Sequence, residues 1–495
     1  NSNPVFVTYG TMESYFATNT AALWSGSHLF GASFDTGRSN VGGTLMPPPF
    51  GPTGRSNFFA IWRGQLIAPV SGTYTFSLNS DDGSMLFIDG QTVVYNNYFQ
   101  GYGTERSGTV SLAAGLHAIT IGFYQGGGDY GVDASVVIPG EAKQKIPNSM
   151  LRPAAYGIGP LSGGGAVSLP SERAFLRIDE TAASTYAGGA VGVASSGIAK
   201  AGPETLTLTG DNDAFLGTWY LTGGALQVGD GGTNGTLGGA EIITSSGTTL
   251  IFNRSDNSEY NGRVSGEGEI VQAGAGRVRL TQVATNFTGA VNLSGAGGLT
   301  LSGTNAVLNA ASITGAGTLA LEDGGAVKAS GETLGVPLEV MDKGLLKLTS
   351  TNSSLDRLSL VSNAVLTVQY VGDLANTNYS LTVGTVAVAG GTGSVVMSPN
   401  GAGSGTLRIS ALDVGAGGVL SVSGQVEVSG GALTVTVPQE LPRGLTLIGD
   451  FSATDGLDLS GVTQTVVGAG SDAALLYRDK KLYISRANGT LIVVR

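Results

Sequence analysis

Along nearly the whole chain, short stretches alternate apolar and polar residues and then stop at glycine or a polar turn. In "TYTFSLNS" (73–80), Tyr74, Phe76 and Leu78 share one face, and Thr73, Thr75 and Ser77 share the other. A period of two is the signature of a half-buried strand. The same texture marks "FFAIWRGQLIAPVSG", "GSMLFIDG", "QTVVYN", "GTVSLAAG" and "LHAITIGFYQ". Strands so closely spaced predict a β-sandwich in the first part of the chain.

Beyond it the pattern becomes repetitive. "LTLTGDNDAFLGTWYLTGGALQVG" (206–229) aligns with "VRLTQVATNFTGAVNLSGAGGLTLS" (278–302), and "EYNGRVSGEGEIV" (259–271) carries the middle of the same unit. Phe215-x-Gly217, Tyr260-x-Gly262 and Phe287-x-Gly289 mark corresponding places. One such unit cannot bury its apolar face alone, so neighbours must stack. A parallel β-helix satisfies this, with a stack of β-sandwiches as the alternative. At roughly 20–25 residues per coil it predicts about 14 coils and a rod on the order of 65 Å. The fold class expected is therefore all-β, a sandwich followed by a β-solenoid.

Aromatic residues place the boundary, since 21 of the 35 lie in the first 150 positions. Pro139, Pro147, Pro153, Pro160 and Pro170 follow. We divide the chain into a sandwich (1–150), a Pro/Gly-rich connection that starts the rod (151–200), and the repetitive β-helix (201–495).

Composition narrows the function. Charged residues make up 12% of the 495, half of the roughly 25% of an ordinary soluble domain. Glycine, at 81 residues, is in excess, yet the 41% of hydrophobic residues in alternation give the chain a core to bury. A net charge of −11 repels phosphate backbones and anionic lipid, which argues against nucleic acid and membrane-surface partners. No apolar run approaches the ~20 residues that a membrane helix needs. The absence of cysteine removes disulfides and thiolate metal sites. The first residue is Asn1, not Met, from which we expect a removed export signal and an extracellular or bacterial cell-surface location.

In so weakly charged a chain, Asp81 stands directly beside Asp82 in "SLNSDDGSMLFIDG" (77–90). Adjacent carboxylates repel unless a cation, donors or open water compensate. Trp62-x-Gly64, Gly72-x-Tyr74-x-Phe76, Ser80-Asp81-Asp82-Gly83, Asp89-Gly90 and the Gly115-Leu116-His117 turn occur in the order seen in the protective-antigen fourteen-kilodalton domain family, which residues 5–140 resemble. The resemblance implies a β-sandwich. In lectin-like members it implies further that the paired aspartates are joined by a cis peptide and bind Ca²⁺, which holds sugar hydroxyls. Asp81 and Asp82 are then the metal and carbohydrate site. Sugar-binding members usually offer Asn in the later loop, whereas "YQGGGDYGVD" makes Asp129 the candidate third ligand. Two carboxylates with backbone carbonyls suit calcium, which takes six to eight hard oxygens. Residues 204–325 resemble the glycine-rich β-helical repeats of bacterial autotransporter passenger regions.

Other chemistry is sparse. His28 and His117 are far apart in sequence, and we expect a structural role for His117. Glu267 and Glu269 could mimic a glycosidase pair, but solvent-facing strand positions explain them. "GDND" (210–213) and "GDGGTNG" (229–235) are read as acidic turns. Trp219 and Tyr220 could stack on a sugar, but core or edge packing is the simpler reading.

Three functions stay open: a structural surface or fibre protein, a calcium-dependent glycan-binding adhesin, and a polysaccharide-active enzyme. We expect no catalysis, and prefer the first. Its partner would be another copy of this chain. In "LYRDKKLYISRANGTLIVVR" a charged turn separates two strands, and Leu491, Ile492, Val493 and Val494 form an apolar β-branched end that could template a neighbour's edge in a filament.

Overall fold

The structure is a computed structural model that describes residues 58–486, apart from 126–130, 154–155, 171–173, 330–332, 362, 439–443, 455 and 469–472. The predicted all-β architecture is observed: a sandwich and then a parallel solenoid.

The sandwich uses β1 (Phe58–Ala68), β2 (Gly72–Asp81), β3 (Ser84–Ile88), β4 (Gln91–Asn96), β5 (Glu105–Leu112), β6 (Gly115–Gln125), β7 (Gly131–Val137), β8 (Gln144–Lys145) and β9 (Leu151–Pro153). They form two antiparallel sheets, ordered β4-β3-β6-β1-β9 and β5-β2-β7-β8. Tyr74, Phe76 and Leu78 point inward as their alternation requires, against Leu86, Ile121 and Phe123 of the facing sheet. Asp89 and Gly90, both at positive φ, make the two-residue turn between β3 and β4.

In the rod, seventeen strands form one continuous parallel sheet from Tyr156–Ile158 to Thr463–Val467. Thr333–Leu334 and Leu338–Val340 share a layer, as do Gln425–Val428 and Ala432–Thr436, which leaves fifteen layers among the described residues. At ~4.8 Å per layer the stack is about 70 Å long. The opposite face is made first by a seven-stranded sheet and then, from Val307–Leu308 onward, by a nine-stranded one. Leu206, Leu226, Leu250, Ile270, Val291 and Ile313 lie over one another, so a coil here takes 20 to 24 residues.

At Phe215-x-Gly217 the aromatic-x-Gly signature has a packing cause. Phe215 is fully buried in the coil, and a Cβ on Gly217 would stand 2.6 Å from its ring. Only glycine allows that approach. Tyr186-x-Gly188 and Tyr370-x-Gly372 repeat the arrangement, with a Cβ 2.6 and 2.5 Å from the ring.

The strand Thr218–Leu221 directs Trp219 inward, where Nε1 donates to the Leu237 carbonyl at 3.0 Å. Tyr220, on the other face, is 1% exposed because the sandwich covers it. Tyr220, Phe175 and Ala199 of the rod cluster with Ile67 of the sandwich, and Leu116 and Ile243 pack against them. Asn286 Nδ2 adds a 3.0 Å hydrogen bond to the Pro69 carbonyl. The head therefore lies along the flank of the rod.

The predicted charged turn is present. Asp479 and Lys480, both at positive φ, join Ala473–Arg478 to Lys481–Arg486 as an antiparallel hairpin at the end of the nine-stranded sheet. Leu491, Ile492, Val493 and Val494 lie outside the described residues, as does His28.

Candidate functional site

Strand β2 ends at Asp81, and the Asp81–Asp82 peptide is cis, as the motif resemblance implies. Asp82 is buried at 6% exposure. Its Oδ1 accepts from the Gln100 backbone N–H at 3.1 Å, and its carbonyl accepts from Ser80 Oγ at 2.6 Å.

Behind the pair lies a polar network that fixes its own proton directions. Because Ser80 Oγ donates to Asp82, Ser84 Oγ must donate across their 2.7 Å contact. Ser80 Oγ also accepts from Asn96 Nδ2 at 3.1 Å. Asn96 Oδ1 accepts from Gln100 Nε2 at 3.0 Å and from Arg106, and Gln100 Oε1 accepts from Arg106 Nη1 at 2.7 Å. A guanidinium only donates, so Arg106 orients both amides with oxygen toward itself. Gln100 Nε2 closes the ring on the Ser80 carbonyl at 3.1 Å. Ser80, Ser84 and Asn96 are fully buried. The satisfied network holds the Asp82 backbone and carboxylate in one place.

The donor set at the pair is carboxylate and carbonyl oxygen, the type that a hard cation takes, with no imidazole or thiolate. Among the described residues, no three His, Cys, Asp or Glu side chains are grouped to hold a metal. Asp129, the expected third ligand, lies outside the described residues. The strand that follows it starts beside the pair, with Gly131 opposite Asp81.

Sequence reasoning missed Asn96, Gln100 and Arg106. Their only signal is negative: polar side chains at the end of an apolar strand and in the turn that follows.

His117 sits on the same sandwich. Its Nδ1 contacts Asp89 Oδ2 at 2.7 Å and its Nε2 the Ala113 carbonyl at 2.9 Å. Both ring nitrogens thus face acceptors, which favours the imidazolium. Burial pulls the His117 pKa down, but the Asp89 hydrogen bond, the Ala113 carbonyl and the Asp89 charge leave it above 6.5. Asp89 is pushed up by burial and pulled further down by its bonds to His117 and the Ala118 N–H, ending below 3.8. The Asp89 contribution is lost as pH falls through its lowered value. The His117 contribution is complete below 6.5 and lost as pH rises through its raised value. The pair thus stabilises the head most between about pH 4 and 6.5. In NMR of the full chain labelled at histidine Cε1, the His117 midpoint should lie above 6.5, and Asp89→Asn should lower it. A midpoint unmoved by that substitution contradicts the assignment.

The remaining candidates are structural. Glu267 lies in the bend before Glu269–Gln272 rather than on that strand, because the chain turns at Gly266. Asp211 Oδ1 accepts from the Asp213 N–H at 3.0 Å and Asp230 Oδ1 from the Gly232 N–H at 3.2 Å, which are Asx turns. Asn212 is buried and ties adjacent coils, accepting from the Ala190 N–H at 2.9 Å and donating to the Thr236 carbonyl at 2.8 Å.

Comparison with known proteins places these features. A family model described as the PA14 domain matches residues 13–149. The adhesin BmaC autotransporter of Brucella suis biovar 1 (strain 1330) is 42% identical over 83 residues, which are 16% of this chain and 2% of that protein. The chain thus spans a small fraction of that curated relative. Among solved structures, a PA14 sugar-binding domain from an RTX adhesin is 26% identical, covering 20% of this chain and 56% of that one at a TM-score of 0.18. The PA14 domain of the MpAFP antifreeze protein is 22% identical, covering 19% and 52% at a TM-score of 0.18. The chain carries an N-terminal PA14 domain followed by a glycine-rich parallel β-solenoid.

Proposed function

We propose that the protein is a calcium-dependent glycan-binding adhesin, secreted and displayed at the bacterial cell surface, whose solenoid carries a PA14 head and performs no catalysis. The observation that carries this reading is the Asp81–Asp82 pair, held by the Ser80–Ser84–Asn96–Gln100–Arg106 network within the residues matched to the PA14 domain. Asp81 and Asp82 would hold the ion, with Asp129 as third ligand. The register of Gly131 against Asp81 supports that choice. When bound, calcium supplies coordination positions that neighbouring sugar hydroxyls can fill. The chain's own residues fix the carboxylate and present the loop after β4 beside it.

The segment similar to an autotransporter adhesin supports the surface role. The site geometry moves the balance from a purely structural rod toward the adhesin. Assembly into a fibre through Leu491, Ile492, Val493 and Val494 is a separate proposal that the adhesin reading does not require.

Binding of the fluorescently labelled full chain to a panel of immobilised glycans tests the reading. We expect signal on a subset of glycans in millimolar calcium and none after chelation. Binding that survives chelation, or no glycan bound in calcium, would overturn it.

A further inference from the structure

Every exposed aromatic side chain among the large exposed hydrophobics of the described residues falls within one five-residue stretch: Tyr95, Tyr98 and Phe99. The other large exposed hydrophobics are aliphatic or Met and lie on the rod. Phe99 is the most exposed of all, at 62%. Among the described residues of the head no other large apolar side chain is exposed, so a local aromatic cluster in water marks a recognition surface.

The stretch is also tied to the acidic pair. Gln100, next to Phe99, donates its backbone N–H to Asp82 Oδ1 at 3.1 Å and its side-chain amide to the Ser80 carbonyl at 3.1 Å. The Tyr98 N–H donates to the Asn96 carbonyl at 3.2 Å, and the Gly103 N–H donates to Asn79 Oδ1 at 2.9 Å. Arg106 stacks 4.2 Å from the centroid of Tyr98, and Tyr95 meets Tyr98 edge-on at 5.7 Å. The aromatics therefore start one and two residues, at about 3.5 Å per residue, from a group bonded to the Asp82 carboxylate. That distance is comparable to one sugar ring.

We propose that Tyr98 and Phe99 form a stacking platform for the C–H face of a neutral hexopyranose whose hydroxyls are held at Asp81 and Asp82, and that this platform selects the sugar. The proposal rests on the adhesin reading for the anchor and adds the residues that discriminate among ligands. A pyranose has an apolar C–H face and a hydroxylated rim, which match an aromatic surface beside a hydroxyl-binding ion. An aromatic face carries negative potential and disfavours a carboxylated sugar laid over it. Tyr98 is fixed by Arg106 and Tyr95, so the loop loses little freedom when it binds.

The test is titration of methyl hexopyranosides, and of a uronic acid counterpart, into the full-length protein in calcium, read by saturation-transfer NMR. Saturation should concentrate on the C–H protons of one ring face, and the uronic acid should bind more weakly. Phe99→Ala should weaken sugar binding about tenfold and leave calcium affinity and thermal midpoint unchanged, and Tyr98→Ala should weaken sugar binding by a similar factor. Phe99→Tyr should restore binding, and Phe99→Leu should not. Unaltered sugar affinity in the Tyr98→Ala/Phe99→Ala double variant overturns the platform and leaves the calcium reading standing. Failure of the unsubstituted protein to bind any of these sugars while calcium still binds overturns platform and glycan reading together.

Discussion

Replacing Trp219 with alanine should lower the stability of the coils around it by about 3–5 kcal/mol, the cost of deleting a large buried aromatic side chain. Trp219 is 1% exposed, contacts Phe215 edge-on at 5.5 Å, and its Nε1 is the donor to the Leu237 carbonyl. Truncation opens a cavity inside a coil and strands that carbonyl, whose cost of about 1–3 kcal/mol is part of that total. Solenoid stability is a sum of coil and nearest-neighbour terms, so the damage should stay local. Hydrogen exchange should accelerate in the paired strands Gly197–Ala201, Thr218–Leu221 and Glu241–Thr244. Strands such as Leu358 to Leu360, more than five layers away, should keep their protection. Uniform acceleration along the rod would mean that it unfolds as one cooperative block.

The contrast between Trp219 and Tyr220 shows what the sequence could reveal. Alternation alone sends one of them into the coil, and the same rule gave the inward faces of Tyr74, Phe76 and Leu78. It could not say that Tyr220, on the outer face, would be covered by the sandwich, because that contact joins segments with no local relationship. Lys200 is a similar case. It is fully buried, donating to the Gly202 carbonyl at 3.0 Å, the Gly223 carbonyl at 2.8 Å and the Glu204 carbonyl. Burial lowers its pKa, and the charges of Glu180, Glu204 and Asp179 oppose that shift. An ammonium with three donors serves the turn carbonyls of two coils, a role without periodic signature.

At the site, the Asp81–Asp82 pair was conspicuous because adjacent charges are costly in a chain so poor in charge. Its support was not. Asn96, Gln100 and Arg106 are ordinary polar residues until folding brings β4 and the following turn against the end of β2. The change of sheets on the second face of the rod begins near Val307, just past the last aligned repeat, which ends at residue 302.

The second large effect concerns Asp82. Asparagine keeps an Oδ1 acceptor for the Gln100 N–H, so Asp82→Asn should preserve the loop while removing one negative charge. Loss of a charged first ligand should exceed the 10- to 100-fold penalty typical of an outer-shell partner. We therefore expect calcium affinity to fall by more than about 100-fold, or about 2.7 kcal/mol. Extracellular calcium modules bind in the range of about 10⁻⁴–10⁻³ M, so the variant should show no measurable binding at millimolar calcium. Calorimetric titration of calcium into the full-length protein and into Asp82→Asn tests the proposed ion site at Asp81 and Asp82 directly. One saturable site is expected in the first and none in the second, with both proteins unfolding at the same temperature in chelator. No heat from the unsubstituted protein at millimolar calcium, or equal binding by the two, would contradict it.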